Sequence, residues 1–144
     1  MKGKYKPKNP AKYKGDPRTI VYRSSWELKF MGYADGHSEI VEWSSEEFSI
    51  PYRSPIDGKV HRYFPDFFIK KKTPQGTTES FVVEIKPFKE TIAPKVQSKP
   101  TKQYLREVYT WGINQAKWQA AEEYCKDRKW KFVKITEYDL GIKV

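Results

Sequence analysis

The sequence predicts an α/β domain, and three observations carry that expectation. A capped helix begins at Ser24, a β-rich hairpin runs from Val60 to Lys86, and a strong helix former between Thr101 and Arg128 leads into a last strand. At 144 residues the chain fits one such domain. Its one cysteine, Cys125, excludes an intramolecular disulfide, argues against a zinc–cysteine site and suits a reducing compartment.

Residues 1–18 are rich in Lys, Gly, Pro and Tyr and show no apolar period, so they read as an extended basic arm, flexible until a partner orders it. Residues 19–144 then form a single domain. Ser24-Ser25-Trp26-Glu27 has the serine-to-glutamate spacing of a capping box. The helix it announces runs to about Asp35, with Trp26, Phe30, Tyr33 and Ala34 as its buried stripe and Gly36 as terminator.

From Glu39 to Tyr52 apolar and polar residues alternate, which predicts one or two short strands closed by Pro51. Pro55-Ile56-Asp57-Gly58 is a turn signal, and residues 72–77 form the loop of a hairpin whose arms are Val60–Lys71 and Ser80–Lys86. Ile92 to Thr101 carries three prolines and reads as a surface loop or lid. Ile113, Ala116, Lys117, Ala120, Ala121 and Tyr124 share one face of the second helix, with Gly112 a break near its start. Trp130–Ile135 is the final strand, and Thr136–Leu140 a short helical turn.

A net charge of +10 together with 16% aromatic residues fits a polyanionic partner, because each neutralised phosphate releases condensed counterions; a solvated basic surface fits equally well from composition alone. No stretch approaches the run of about 18 apolar residues that a membrane span needs, and no apolar segment follows the basic N-terminus, so a soluble, unprocessed chain without a membrane partner is expected.

The chemistry concentrates in Tyr63-Phe64-Pro65-Asp66 and Val82-Val83-Glu84-Ile85-Lys86. Side chains alternate along a strand, so Glu84 and Lys86 share one face while Ile85 points away. A hairpin loop centred near Gln75 places Asp66 opposite Glu84. Two opposed carboxylates destabilise a sheet unless a cation joins them, and Mg2+, with Mn2+ as a substitute, takes one or two carboxylates plus waters and a substrate phosphate. The backbone carbonyl of Ile85 offers a further ligand. Lys86 would then orient or deprotonate the attacking water, or stabilise charge on the phosphate, which makes phosphodiester hydrolysis the natural reaction. The bland alternative, an aspartate in a turn beside an ordinary polar strand edge, fits poorly, because Phe68 and Val82 accompany the acids while Phe67, Ile69, Phe81, Val83 and Ile85 occupy the other face. Both faces are therefore expected to be buried.

Four separated motifs, Tyr22 to Glu27, Pro65-Asp66, Glu84-Ile85-Lys86-Pro87 and Asn114 to Trp118, resemble those of the head-completion nucleases of large tailed bacteriophages, within the PD-(D/E)xK, restriction-endonuclease-like superfamily. The resemblance runs from about Tyr13 to Leu140. It implies an αβββαβ core with a mixed central sheet flanked by helices, metal-dependent cleavage of DNA during completion of the packaged head, and a place in the virion or host cytoplasm. Phage portal or head proteins become further partners, and a homodimer is one way for a single-site enzyme to cut both strands.

By the same resemblance Glu27 joins Asp66, Glu84 and Lys86 as a catalytic residue and metal ligand, although as third residue of the capping box it has a structural use too. Gln115 and Lys117 on the second helix, and Arg23, His61 and Arg62 flanking the acids, are candidate DNA contacts that could equally be solvated surface groups. His37 and His61 lack the paired spacing of a zinc site. Two rival readings are a structural virion protein that binds DNA without cutting it, and a repair, transposition or restriction nuclease of the same fold.

Overall fold

A computed structural model describes residues 2–142 and shows two helices around a mixed four-stranded sheet. Helix α1 (Ser25–Gly36) begins as the capping box predicts: Ser24 Oγ accepts the Glu27 amide at 3.1 Å. It buries Phe30, Met31 and Ala34. Strand β3 (Ile40–Ser45) follows, and further strands β6 (Phe67–Lys72) and β7 (Thr78–Ile85) form the predicted hairpin. Its turn is closed by the Thr73 amide on the Thr77 carbonyl at 2.9 Å, with Gly76 at φ +82°, a conformation glycine adopts without strain. Helix α2 (Lys102–Arg128) is continuous through Gly112, which does not break it, and returns the chain so that β8 (Lys131–Ile135) pairs in parallel with β7.

The sheet order is β3-β6-β7-β8, and β6 runs antiparallel to both of its neighbours, β3 and β7. In chain order these elements give the αβββαβ core. One face packs Phe67, Ile69 and Val83 against α1 and the fully buried Trp43. The other packs Phe68 and Val82 against Cys125 of α2. Truncating a ring such as Trp43 to alanine would cost about 3–5 kcal/mol in such a setting.

The hairpin expectation changes. The arm predicted over Val60–Lys71 is two strands, because Pro65 cannot donate to a ladder and the chain bends at Phe64-Pro65-Asp66. Its first part, β5 (Val60–Tyr63), pairs instead with β4 (Ile50–Arg53) in a separate hairpin that packs on α2. Thr136–Leu140 closes the single helical turn expected there, the Leu140 amide donating to the Thr136 carbonyl at 3.1 Å.

The predicted N-terminal arm is not free. Within it, β1 (Gly3–Lys4) pairs with β2 (Val21–Tyr22), and Tyr13 is buried against Trp43 at 4.8 Å between ring centroids. Asp35 is the anchor: its buried carboxylate accepts the Tyr5 hydroxyl at 2.8 Å and the amides of Lys8 and Asn9 at 2.7 and 3.0 Å. These charge-assisted bonds offset the cost of ordering a polar segment. Met1, assigned to the arm, and Lys143 and Val144, assigned to the domain, lie outside the described residues.

Candidate active site

The β6–β7 register pairs Phe67 with Val83 and Phe68 with Val82, so one step beyond the end of β6 Asp66 stands opposite Glu84. Asp66 follows the Pro65 bend, which turns it off the β4–β5 hairpin and onto the rim of the central sheet. Its Oδ2 accepts the Ile85 amide at 2.8 Å. Glu84 is buried on the face covered by α2. Its Oε2 accepts the Tyr63 hydroxyl at 2.7 Å and the Trp118 indole N–H at 3.2 Å.

The two carboxyl groups are close enough to share a proton. Burial, then the charge of Glu84 and that shared hydrogen bond, hold Asp66 well above the usual carboxylate range; the Ile85 amide opposes the shift and the charge of Glu27 adds to it. Burial and the Glu84 charge likewise raise the Tyr63 phenol, so Tyr63 keeps its proton and donates it to Glu84. A site that holds a proton between two acids offers the same place to a cation, which would replace that proton.

Lys86 continues β7: its amide donates to the Ile135 carbonyl at 3.0 Å, and strand alternation turns its side chain to the same face as Glu84. Among the described residues Lys86 forms no ion pair. The chain beyond it is held by the Phe88 amide, which donates to the buried Glu137 carboxylate at 2.7 Å.

Glu27 sits at the start of α1 near enough to act on Asp66 electrostatically, yet its Oε1 accepts the Arg23 amide at 3.0 Å and so serves the helix cap. Arg23 pairs with Glu46 and lies within the field of Glu27 and Asp66. Glu46 has φ +52°, in the left-handed region that a glutamate rarely adopts, and its amide donates to the Asp66 carbonyl at 3.2 Å. The strained residue thus braces both Arg23 and Asp66.

Lys117 lies over the Tyr63 and Tyr52 rings, with Nζ 5.7 and 5.8 Å from their centroids. It therefore borders the acidic pair. Arg62 and Gln115 do not: Arg62 is on the exposed face of β5, where it reaches Ser49 Oγ at 3.4 Å, and Gln115 is exposed on α2. His61 bonds Asp57 at 2.8 Å on the hairpin, apart from the acids. Of Ile85, the amide is what meets Asp66.

Among the described residues no three Asp, Glu, His or Cys side chains gather into a closed metal cage. Two oxygen-bearing acids with open positions fit a hard divalent ion that keeps its waters and takes substrate oxygens, and do not fit a closed structural zinc.

Sequence reasoning assigned no role to Tyr63, Trp118 or Lys134. Lys134 is the cross-strand partner of Glu84, and its Nζ lies 4.6 Å from the Trp118 ring centroid. The signal for Lys134 was absent, because a parallel register across α2 cannot be read from spacing. Tyr63 and Trp118 stood inside the motifs already quoted, but nothing local indicated that both aim at one carboxylate 21 and 34 residues away.

The family model described as "TnsA-like endonuclease N terminal" matches residues 37–137, which include β3 to β8 and all of Asp66, Glu84 and Lys86. The head completion nuclease of Enterobacteria phage T4 is 42% identical over 139 residues, spanning 94% of this chain and 90% of that protein. A match over most of the domain, a relative aligned over nearly all of it and the αβββαβ order observed here together establish that the chain belongs to the TnsA-like endonuclease family, nucleases built on the restriction-endonuclease-like fold.

Proposed function

We propose that this nuclease is a divalent-metal-dependent endodeoxyribonuclease, with Mg2+ as the ion and Mn2+ able to replace it, that acts on phage DNA during or after packaging. The observation that carries the reading is the Asp66–Glu84 pair, two opposed carboxylates held at a sheet rim where burial and their mutual repulsion disfavour ionisation of both. Asp66, Glu84 and the Ile85 carbonyl would hold the ion, with Glu27 as the nearest further acid. The ion, when bound, supplies Lewis-acid polarisation of the phosphate and a more acidic water.

The chain's own groups divide the remaining work. Lys86 orients the attacking water and offsets charge on the scissile phosphate from the face it shares with Glu84. Arg23 and Lys117, which border the acids on either side, attract the flanking phosphates, and Arg62 and Gln115 extend that contact over the exposed surface. In-line hydrolysis then leaves a 5′ or 3′ phosphate according to which oxygen departs. One centre per chain cuts one strand at a time, so a double-strand break calls for a homodimer or two visits. The 42% identity to a head completion nuclease supports a role at the packaged head, in the virion or host cytoplasm, with portal or head proteins as neighbours.

The test is plasmid relaxation. Wild type with Mg2+ or Mn2+ is expected to nick or linearise supercoiled DNA, EDTA to stop it, and Asp66→Ala and Lys86→Ala to leave the plasmid intact. An intact plasmid with wild type under every metal overturns the reading and favours a DNA-binding structural protein of the virion.

A further inference from the structure

Glu84 is not simply a carboxylate on a strand. A buried acid on a sheet face ordinarily has several rotamers, and only some of them would present it to Asp66. Here two donors converge on a single oxygen: the Tyr63 hydroxyl from the β4–β5 hairpin at 2.7 Å and the Trp118 indole N–H from α2 at 3.2 Å. Both donors are themselves buried, at 4% and 3% exposure, so neither bond competes with water. Oε1, by contrast, accepts no hydrogen bond from an amide, hydroxyl or amine of the described residues.

We infer that Tyr63 and Trp118 are positioning residues that lock Glu84 Oε2 and thereby present Oε1, beside Asp66, to the divalent ion of the nuclease reaction. The inference rests on the metal-dependent reading above. The two donors come from outside the catalytic hairpin, one from each of two elements packed on the same face of the sheet. Tyr63 ends β5 just before the Pro65 bend, so the hairpin that carries it and the aspartate that follows are set by the same turn. Trp118 lies on the inner face of α2, one turn beyond the buried Asn114. Outer hydrogen bonds of this kind fix ligand orientation, and their loss commonly lowers metal affinity or activity about 10- to 100-fold.

A hydroxyl deletion separates positioning from packing. Tyr63→Phe keeps the ring between Glu84 and Lys117 and removes only the donor. Three quantities are measured: cleavage as a function of Mn2+ concentration, kcat against KM for a duplex, and the Mn2+-induced rise in unfolding temperature without DNA. The expected result is a Mn2+ midpoint raised about ten-fold or more in both cleavage and thermal-shift titrations, kcat reduced by a similar factor, and KM for DNA within about two-fold of wild type. Tyr63→Phe/Trp118→Phe is expected to lose more than either single change, and Trp118→His, which restores a ring N–H, to recover part of the loss.

Tyr63→Phe with a wild-type Mn2+ midpoint and kcat overturns the inference, as does a loss confined to unfolding temperature. Should wild type neither cleave DNA nor gain stability from Mn2+, it is the metal-dependent reading that fails. Cleavage by wild type with an unchanged Tyr63→Phe fails only the positioning role.

Discussion

Asp66 and Glu84 meet across the open end of the β6–β7 hairpin, and the amide that follows Glu84, that of Ile85, donates to Asp66 at 2.8 Å. The backbone of one acid's strand thus orients the other acid. Of the five influences on the Asp66 proton, burial is the largest and the neighbouring Glu84 charge the next.

The pH dependence of stability follows from that order. The folded-state affinity of Asp66 for its proton is raised above the ordinary value of 3.8, so the associated stability is complete below that pH and is lost as pH climbs toward the raised value. In EDTA, the unfolding temperature of wild type is expected to fall over this interval, on the order of 5 °C in total. Asp66→Asn removes the titrating proton and should flatten the curve. Divalent ion should restore the midpoint most at the alkaline end, and calorimetry across pH with and without Mg2+ checks all three.

Glu27 has two uses that one pair of variants separates. Glu27→Ala loses both charge and cap, with about 1 kcal/mol of stability expected to go with the cap. Glu27→Gln keeps an oxygen for the Arg23 amide and should unfold near the wild-type temperature. If the charge beside Asp66 serves the reaction, Glu27→Gln cuts at least about ten-fold more slowly in the plasmid assay. Wild-type cutting by Glu27→Gln would leave Glu27 a cap alone.

Lys86 lies at a strand end, half-buried and free of ion pairs among the described residues, so it contributes little to folding. Lys86→Ala is expected to lower kcat by about a hundred-fold or more while changing the unfolding temperature by no more than about 1 °C. Its Mn2+-induced stabilisation should persist, since the two acids remain. Single-turnover cleavage beside a thermal titration measures the separation.

Asp35 holds the N-terminal segment. Burial alone would raise its proton affinity, but the Lys8 amide, the Tyr5 hydroxyl and the Asn9 amide together bring it below the ordinary 3.8. The stability it contributes is present above that value and is lost as pH falls through the lowered one. Asp35→Ala strands three donors and is expected to cost about 3 kcal/mol. Limited proteolysis should then cut before Ile20, where wild type resists.

The features legible in the sequence are those whose cause is local. Ser24 and Glu27 are three residues apart, and the cap they predict is present. The 72–77 loop fixes its own register, which is why the opposition of Asp66 and Glu84 could be derived without coordinates. What escaped depends on residues distant in the chain. Tyr5 and Asp35 are 30 positions apart and carry no shared pattern, so a Lys- and Pro-rich segment read as free although two tyrosines pin it. Pro65 was visible, but its effect, exporting β5 from the central sheet, depends on where β4 lies. The donors to Glu84 were hidden for the same reason.

Strand β7 lies between antiparallel β6 and parallel β8, with Glu84 near its end and Lys86 one residue past it. An interior strand is among the last parts of a sheet to exchange its amides, and it cannot loosen without the whole sheet opening. Heat should therefore abolish cutting and melt the domain in a single event, with no warm, folded but idle intermediate between them.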